Sequence, residues 1–108
     1  MTEEYDRVLG CIVGAAIGDS VGGPVEFTDA AFVRERLGGK EWIDRMLPYK
    51  GIRPNPHGIW ADDPPRGTGT DDTRYNNIFL QCVINNNGAA SSHLLALEYI
   101  YHYQNLER

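Results

Sequence analysis

The sequence predicts an all-α fold in which a long irregular loop separates two helical stretches. Three observations carry that prediction. Apolar residues run at helical length, Thr70 and Ser91-Ser92 stand where helices need N-caps, and Gly38-Gly39 and Asn85-Asn86-Asn87-Gly88 stand where helices must stop.

Tyr5 to about Gly22 reads as the first helix, and Gly23-Pro24-Val25-Glu26-Phe27 after it as an extended segment, because proline restricts the residue before it. Ala30 to Leu37 is a short amphipathic pattern stopped by Gly38-Gly39, and Glu41 to Leu47 is expected to form a second short helix. Pro48 to Gly69 is loop: it holds five prolines and four glycines, and neither helical nor strand periodicity survives there. From Thr70 the helical signal returns, with Ile78-Phe79-Leu80 and Cys82-Val83-Ile84 buried on most sides. Periodicity alone would also allow a strand there, but the caps and the length favour a helix. A last helix follows Ser91-Ser92, with Leu94, Leu97 and Tyr101 on one face.

At 108 residues this is one domain at most, or a piece of one. The chain is 42% apolar and 23% charged, as ordinary globular proteins are. A net charge of −5 with scattered Lys and Arg gives no reason to expect nucleic-acid or anionic membrane binding. The longest apolar stretch, Val8 to Ile17, is shorter than the roughly 20 residues a membrane helix needs. The acidic start Met1-Thr2-Glu3-Glu4 is unlike a secretory signal, so a cytoplasmic location is expected. Cys11 and Cys82 lie in apolar runs and read as reduced core residues.

Three features invite chemistry. Gly10, Gly14, Gly18 and Gly22 recur every fourth residue and would leave a stripe without side chains on the first helix. Each interior glycine costs roughly 1 kcal/mol against alanine, so the stripe calls for either a closely packed helix or a ligand approaching the main chain. Asp19, near the end of that helix, reads as a structural hydrogen-bonder rather than a catalyst. Thr70-Asp71-Asp72-Thr73 admits two readings. It makes a good helix start, with Thr70 as cap and two aspartates at the positive end of the dipole. Equally, two carboxylates and a hydroxyl at the mouth of a long loop suit a hard cation, Mg²⁺, Mn²⁺ or Ca²⁺ rather than zinc. Neighbouring helical residues point about 100° apart, so both aspartates reach one ion only at the helix end. Glu26, flanked by Val25 and Phe27, is either a solvated carboxylate or one that apolar neighbours suit to acid–base work.

The run Gly10-Cys-Ile-Val-Gly14-Ala-Ala-Ile-Gly18-Asp19-Ser-Val-Gly22-Gly23-Pro24-Val25-Glu26-Phe27, followed after a loop by Gly69-Thr70-Asp71-Asp72-Thr73, resembles the N-terminal part of the ADP-ribosylglycohydrolases. That family includes the enzyme that reactivates ADP-ribosylated dinitrogenase reductase. The resemblance implies the family's all-α fold and a binuclear Mg²⁺ or Mn²⁺ centre. It implies hydrolysis of the glycosidic bond joining ADP-ribose to a protein side chain or to a small-molecule acceptor. By position, Thr70, Asp71 and Asp72 would be metal ligands and Glu26 the acidic residue beside the scissile bond.

Residues 1–108 are therefore expected to be the N-terminal portion of such a domain, weakly active or inactive alone. Family members are longer and complete the metal centre with a second acidic motif near their C-terminus. Asp62-Asp63 is a second acidic pair here, but Pro64-Pro65 and the loop context argue against a ligand role. Two other expectations remain open: a non-catalytic binding or crystallin-like structural module, and self-association through exposed apolar faces. Gly38-Gly39-Lys40 lacks the rest of a phosphate loop, Gly67-Thr68-Gly69 lacks a third glycine, and His57, His93 and His102 have no partners at zinc spacing.

Overall fold

The computed structural model describes residues 2–49 and 64–105. Among the described residues the regular structure is entirely helical, as expected: α1 (Glu3–Gly22), a 3₁₀ turn (Gly23–Val25), α2 (Ala30–Arg36), α3 (Asp71–Asn85) and α4 (Ser92–Asn105). The chain divides into two compact units, Met1–Thr70 and Asp71–Arg108. Residues 50–63 of the expected loop lie outside the described residues.

In the first unit, Thr2 caps α1 by accepting from the Tyr5 N–H at 3.3 Å, and Glu3, Glu4 and Asp6 face the positive end of the helix dipole. α1 and the turn after it, Glu3–Val25, are long and apolar enough to cross a membrane by length and composition, a test that core helices and signal sequences also pass. The apolar run alone gave no such indication. Gly23-Pro24-Val25 is a 3₁₀ turn rather than the extended segment expected. Proline's fixed φ suits the first turn of a helix, and the chain then passes at Glu26 (φ −55°, ψ 139°) and Phe27 into a further turn, not an extended run.

Asp29 caps α2 by accepting from the Phe32 N–H at 2.7 Å. Gly38 and Gly39 then end it at φ 68° and 90°, with the Gly39 N–H donating to Arg34 O at 2.8 Å. The short helix expected over Glu41 to Leu47 does not form. A stretch that short cannot repay helix nucleation without a packed face, and the chain here runs irregularly to bury Leu47 and Tyr49. Those two side chains are buried in this unit together with Leu37, Pro24 and Thr70. Arg36 Nη2 fastens the segment by donating to Pro48 O at 2.6 Å.

In the second unit α3 packs on α4. The expected stop is observed: Asn87 and Gly88 take φ 52° and 90°, and the Gly88 N–H closes on Val83 O at 2.8 Å. Ser91 Oγ caps α4 by accepting from the Leu94 N–H at 3.2 Å. Burial departs from expectation. Cys82 is buried, but Phe79 and Ile84 are exposed, as are Leu97 and Tyr101 on α4. One neighbouring helix shields only one face, so a nearly continuous apolar run stays partly in solvent. The buried residue of α4 is Glu98, whose carboxylate accepts from Asn85 Nδ2 at 3.2 and 3.3 Å and lies 3.2 Å from His102 Nε2. Tyr75 and Tyr99 add a tilted aromatic pair at 5.9 Å. Both cysteines are free, but only Cys82 is a core residue; Cys11 is exposed on α1.

Candidate functional site

The last turn of α1 presents Asp19, half-buried, toward the segment that ends the loop. Its Oδ2 accepts the Thr70 backbone N–H at 2.6 Å, and its Oδ1 accepts the Thr70 hydroxyl proton. One carboxylate thus takes both donors of a residue 51 positions away. Hydrogen bonds to an ionised acceptor are about twice as strong as neutral ones, and Thr70 is only 2% exposed. The expectation that Asp19 bonds structurally is met, with a partner that the sequence does not announce.

Gly23 makes the approach possible. A Cβ there would meet Thr70 Cγ2 at 2.8 Å and collide with Tyr49 Oη. Tyr49, 1% exposed, donates from Oη to Thr68 O at 2.7 Å. Thr68 is itself held in a turn, its N–H and hydroxyl both donating to Pro65 O at 3.1 and 2.7 Å. Burial pushes the Tyr49 phenol above its ordinary 10.0, and the negative charges of Asp19 and Glu26 push it the same way. Nothing in the sequence marks Tyr49, which lies inside a stretch that reads only as loop.

Glu26 follows the 3₁₀ turn, half-buried, with its N–H on Gly23 O at 3.3 Å. Phe27 next to it sits at φ 56°, a left-handed backbone that bulky side chains rarely take. Thr28 closes the turn by donating its hydroxyl to Val25 O at 2.5 Å. The structure therefore gathers Asp19, Gly23, Tyr49 and Thr70, with Glu26 close enough to act on Tyr49 electrostatically.

Asp71 and Asp72 open α3 as exposed first-turn carboxylates of the second unit. Among the described residues, no group of three or more His, Cys, Asp and Glu side chains converges. Asp62-Asp63 lies outside the described residues. The donors present nevertheless fit a hard cation. A hydroxyl has one hydrogen and two lone pairs, so Thr70, having given its hydrogen to Asp19, has only acceptor capacity left to offer. Asp71 and Asp72 add carboxylate oxygens, and an all-oxygen set suits Mg²⁺ or Mn²⁺.

Of the two expectations for the glycine stripe, the closely packed helix is not observed among the described residues. Nothing among the described residues lies within 4 Å of a Cβ built at Gly10, Gly14, Gly18 or Gly22. Close approach occurs one residue further on, at Gly23.

Comparison with known proteins gives one finding. A family model described as ADP-ribosylglycohydrolase matches residues 1–107. No curated protein and no solved structure matches.

Proposed function

The chain belongs to the ADP-ribosylglycohydrolase family, and on that premise we propose that it serves metal-assisted hydrolysis of the glycosidic bond between ADP-ribose and an acceptor. The family makes the chain hydrolase-like and its substrates ADP-ribosylated in general. The acceptor class we propose is a protein side chain or a small-molecule conjugate.

One observation carries this reading. The Gly10 to Phe27 run and Gly69-Thr70 are joined through the Asp19 carboxylate and both donors of Thr70. Glu26, seven residues after Asp19 in sequence, is the acidic residue proposed beside the scissile bond. Half-buried between Val25 and the Phe27 turn, it is suited to hold or deliver a proton at the glycosidic oxygen or an incoming water. Thr70, Asp71 and Asp72 would hold Mg²⁺ or Mn²⁺ as part of a binuclear centre, which would supply Lewis-acid and template chemistry toward the ribose hydroxyls and a water. Three ligands leave an octahedron unfilled, so water, substrate or a further acidic segment supplies the others. A cytoplasmic location is part of the same reading, and the exposed apolar side chains of α1 favour self-association.

The test is Mg²⁺-dependent release of ADP-ribose from ADP-ribosylated peptides, by the chain alone and with an acidic C-terminal segment of a longer family member added. Release is expected with the segment, and Glu26→Gln should lower it at least about 100-fold. Undiminished release by Glu26→Gln would sink the assignment of Glu26. ADP-ribose binding that ignores both Mg²⁺ and Asp71→Ala/Asp72→Ala would point instead to a non-catalytic binding module.

A further inference from the structure

We propose that Asp19 is a positioning residue for Thr70, fixing that hydroxyl so that its lone pairs, not its proton, are offered to a divalent cation. The inference rests on the reading of Thr70, Asp71 and Asp72 as cation ligands and extends it to a residue outside that set. Its basis is the division of labour in the contact. The backbone bond to Oδ2, at 2.6 Å, fastens the segment together with the Tyr49 bond to Thr68 O. The second bond, from the Thr70 hydroxyl to Oδ1, does something else: it consumes the only hydrogen that hydroxyl has. Thr70 is 2% exposed and its methyl lies against Gly23, so neither rotation nor solvent readily replaces that partner. A carboxylate accepting the hydroxyl proton also makes the oxygen a better donor to a cation, which is how residues behind a ligand tune metal affinity.

Asparagine at this position breaks that logic in either orientation. If its oxygen takes the backbone N–H, its amide N–H₂ donates to the Thr70 oxygen and occupies a lone pair the cation needs. If its oxygen takes the hydroxyl, the amide faces the Thr70 N–H, donor against donor.

The experiment is Mn²⁺ binding to the full chain, followed by electron paramagnetic resonance, for the wild type, Asp19→Asn, Thr70→Val and the double variant. Asp71→Asn/Asp72→Asn is the control, and helix content is checked by circular dichroism. Asp19→Asn is expected to weaken Mn²⁺ binding about tenfold, and to have no further effect once Thr70→Val has removed the hydroxyl. Wild-type affinity in Asp19→Asn, or the same loss on the Thr70→Val background, overturns the positioning role. Asp19→Glu, which keeps the charge but moves the carboxylate by one methylene, is measured alongside with a loss of several-fold expected. Wild-type affinity in whichever Asp19 variant keeps its helix content also overturns the role. The underlying reading fails separately, if the wild type shows no saturable Mn²⁺ binding or if Asp71→Asn/Asp72→Asn leaves that binding unchanged.

Discussion

Along α1, Gly10, Gly14, Gly18 and Gly22 repeat at intervals of four, yet a Cβ at any of them would meet nothing among the described residues within 4 Å. Gly23, outside that rhythm, is where Tyr49 and Thr70 come against the main chain. The side chains around the two regions differ in the same way. Val8, Leu9, Ile12, Val13 and Ile17 are exposed, whereas Ser20, Gly23 and Pro24 are buried and Asp19 is tied to Thr70. Regular spacing therefore says how a helix surface is shaped, and only packing says which glycine is indispensable. The two halves of one segment carry different demands: the first leaves a smooth apolar surface, the second holds a polar junction.

The contrast breaks most readily at Gly23. Gly23→Ala puts a methyl against Tyr49 Oη and Thr70 Cγ2, both already fully buried. Overpacking of that kind costs about 1–3 kcal/mol, and the upper end is expected because neither neighbour is a free side-chain tip. Urea unfolding would read it as a lower midpoint at unchanged slope. A neutral Gly23→Ala would mean that the junction yields easily, and the contrast would lose its physical basis.

Tyr49 comes next. Tyr49→Phe keeps the ring and deletes the bond to Thr68 O, leaving a carbonyl short of a partner at a cost of about 1–2 kcal/mol. The same residue gives a pH signature. Its folded phenol holds its proton above the ordinary 10.0, chiefly through burial and then through Asp19 and Glu26. Above pH 10 the unfolded chain binds fewer protons than the folded one, so stability present below that point is lost as pH rises toward the folded value. Urea midpoints taken at increasing alkalinity should fall more steeply for wild type than for Tyr49→Phe. Parallel declines would show that Tyr49 does not carry the alkaline loss.

What was legible in the sequence follows the range of the interaction. Helix stops at Gly38-Gly39 and at Asn87-Gly88 rest on backbone geometry within a few residues, and they appear where expected. The cap at Ser91 is equally local. Asp19 was recognisable as a hydrogen-bonder, but its partner across 51 residues was not, because no periodicity encodes a contact through a loop. Tyr49 was invisible for the same reason, and so was Glu98, a charged residue buried by pairing with Asn85 on the facing helix. The family resemblance sets the Gly10 to Phe27 run and Thr70-Asp71-Asp72 side by side as parts of one pattern, which spacing alone does not.

A smaller effect sharpens the open side of the comparison. At Gly14 alanine has room, and a helix interior favours it by about 1 kcal/mol. Gly14→Ala should raise the urea midpoint by about that amount. Destabilisation instead would mean that something packs against the stripe in solution, and the smooth surface of α1 would have to be reread as an interface.

The smallest effect lies just beyond the junction, at Phe27. Its φ of 56° is costly for a bulky residue, yet its side chain is 70% exposed, so little burial offsets the strain. Asparagine tolerates that backbone better, and Phe27→Asn should stabilise the chain by about 0.5 kcal/mol. Strain of this sort gathers at functional positions, and here it immediately follows Glu26. If Phe27→Asn stabilises while weakening ADP-ribose binding, the ring belongs to the substrate side of the turn and the strain accompanies that role. If it destabilises, the contacts of the ring outweigh its backbone cost. The junction around Gly23 would then extend to Phe27, three residues further along the chain than the buried Pro24.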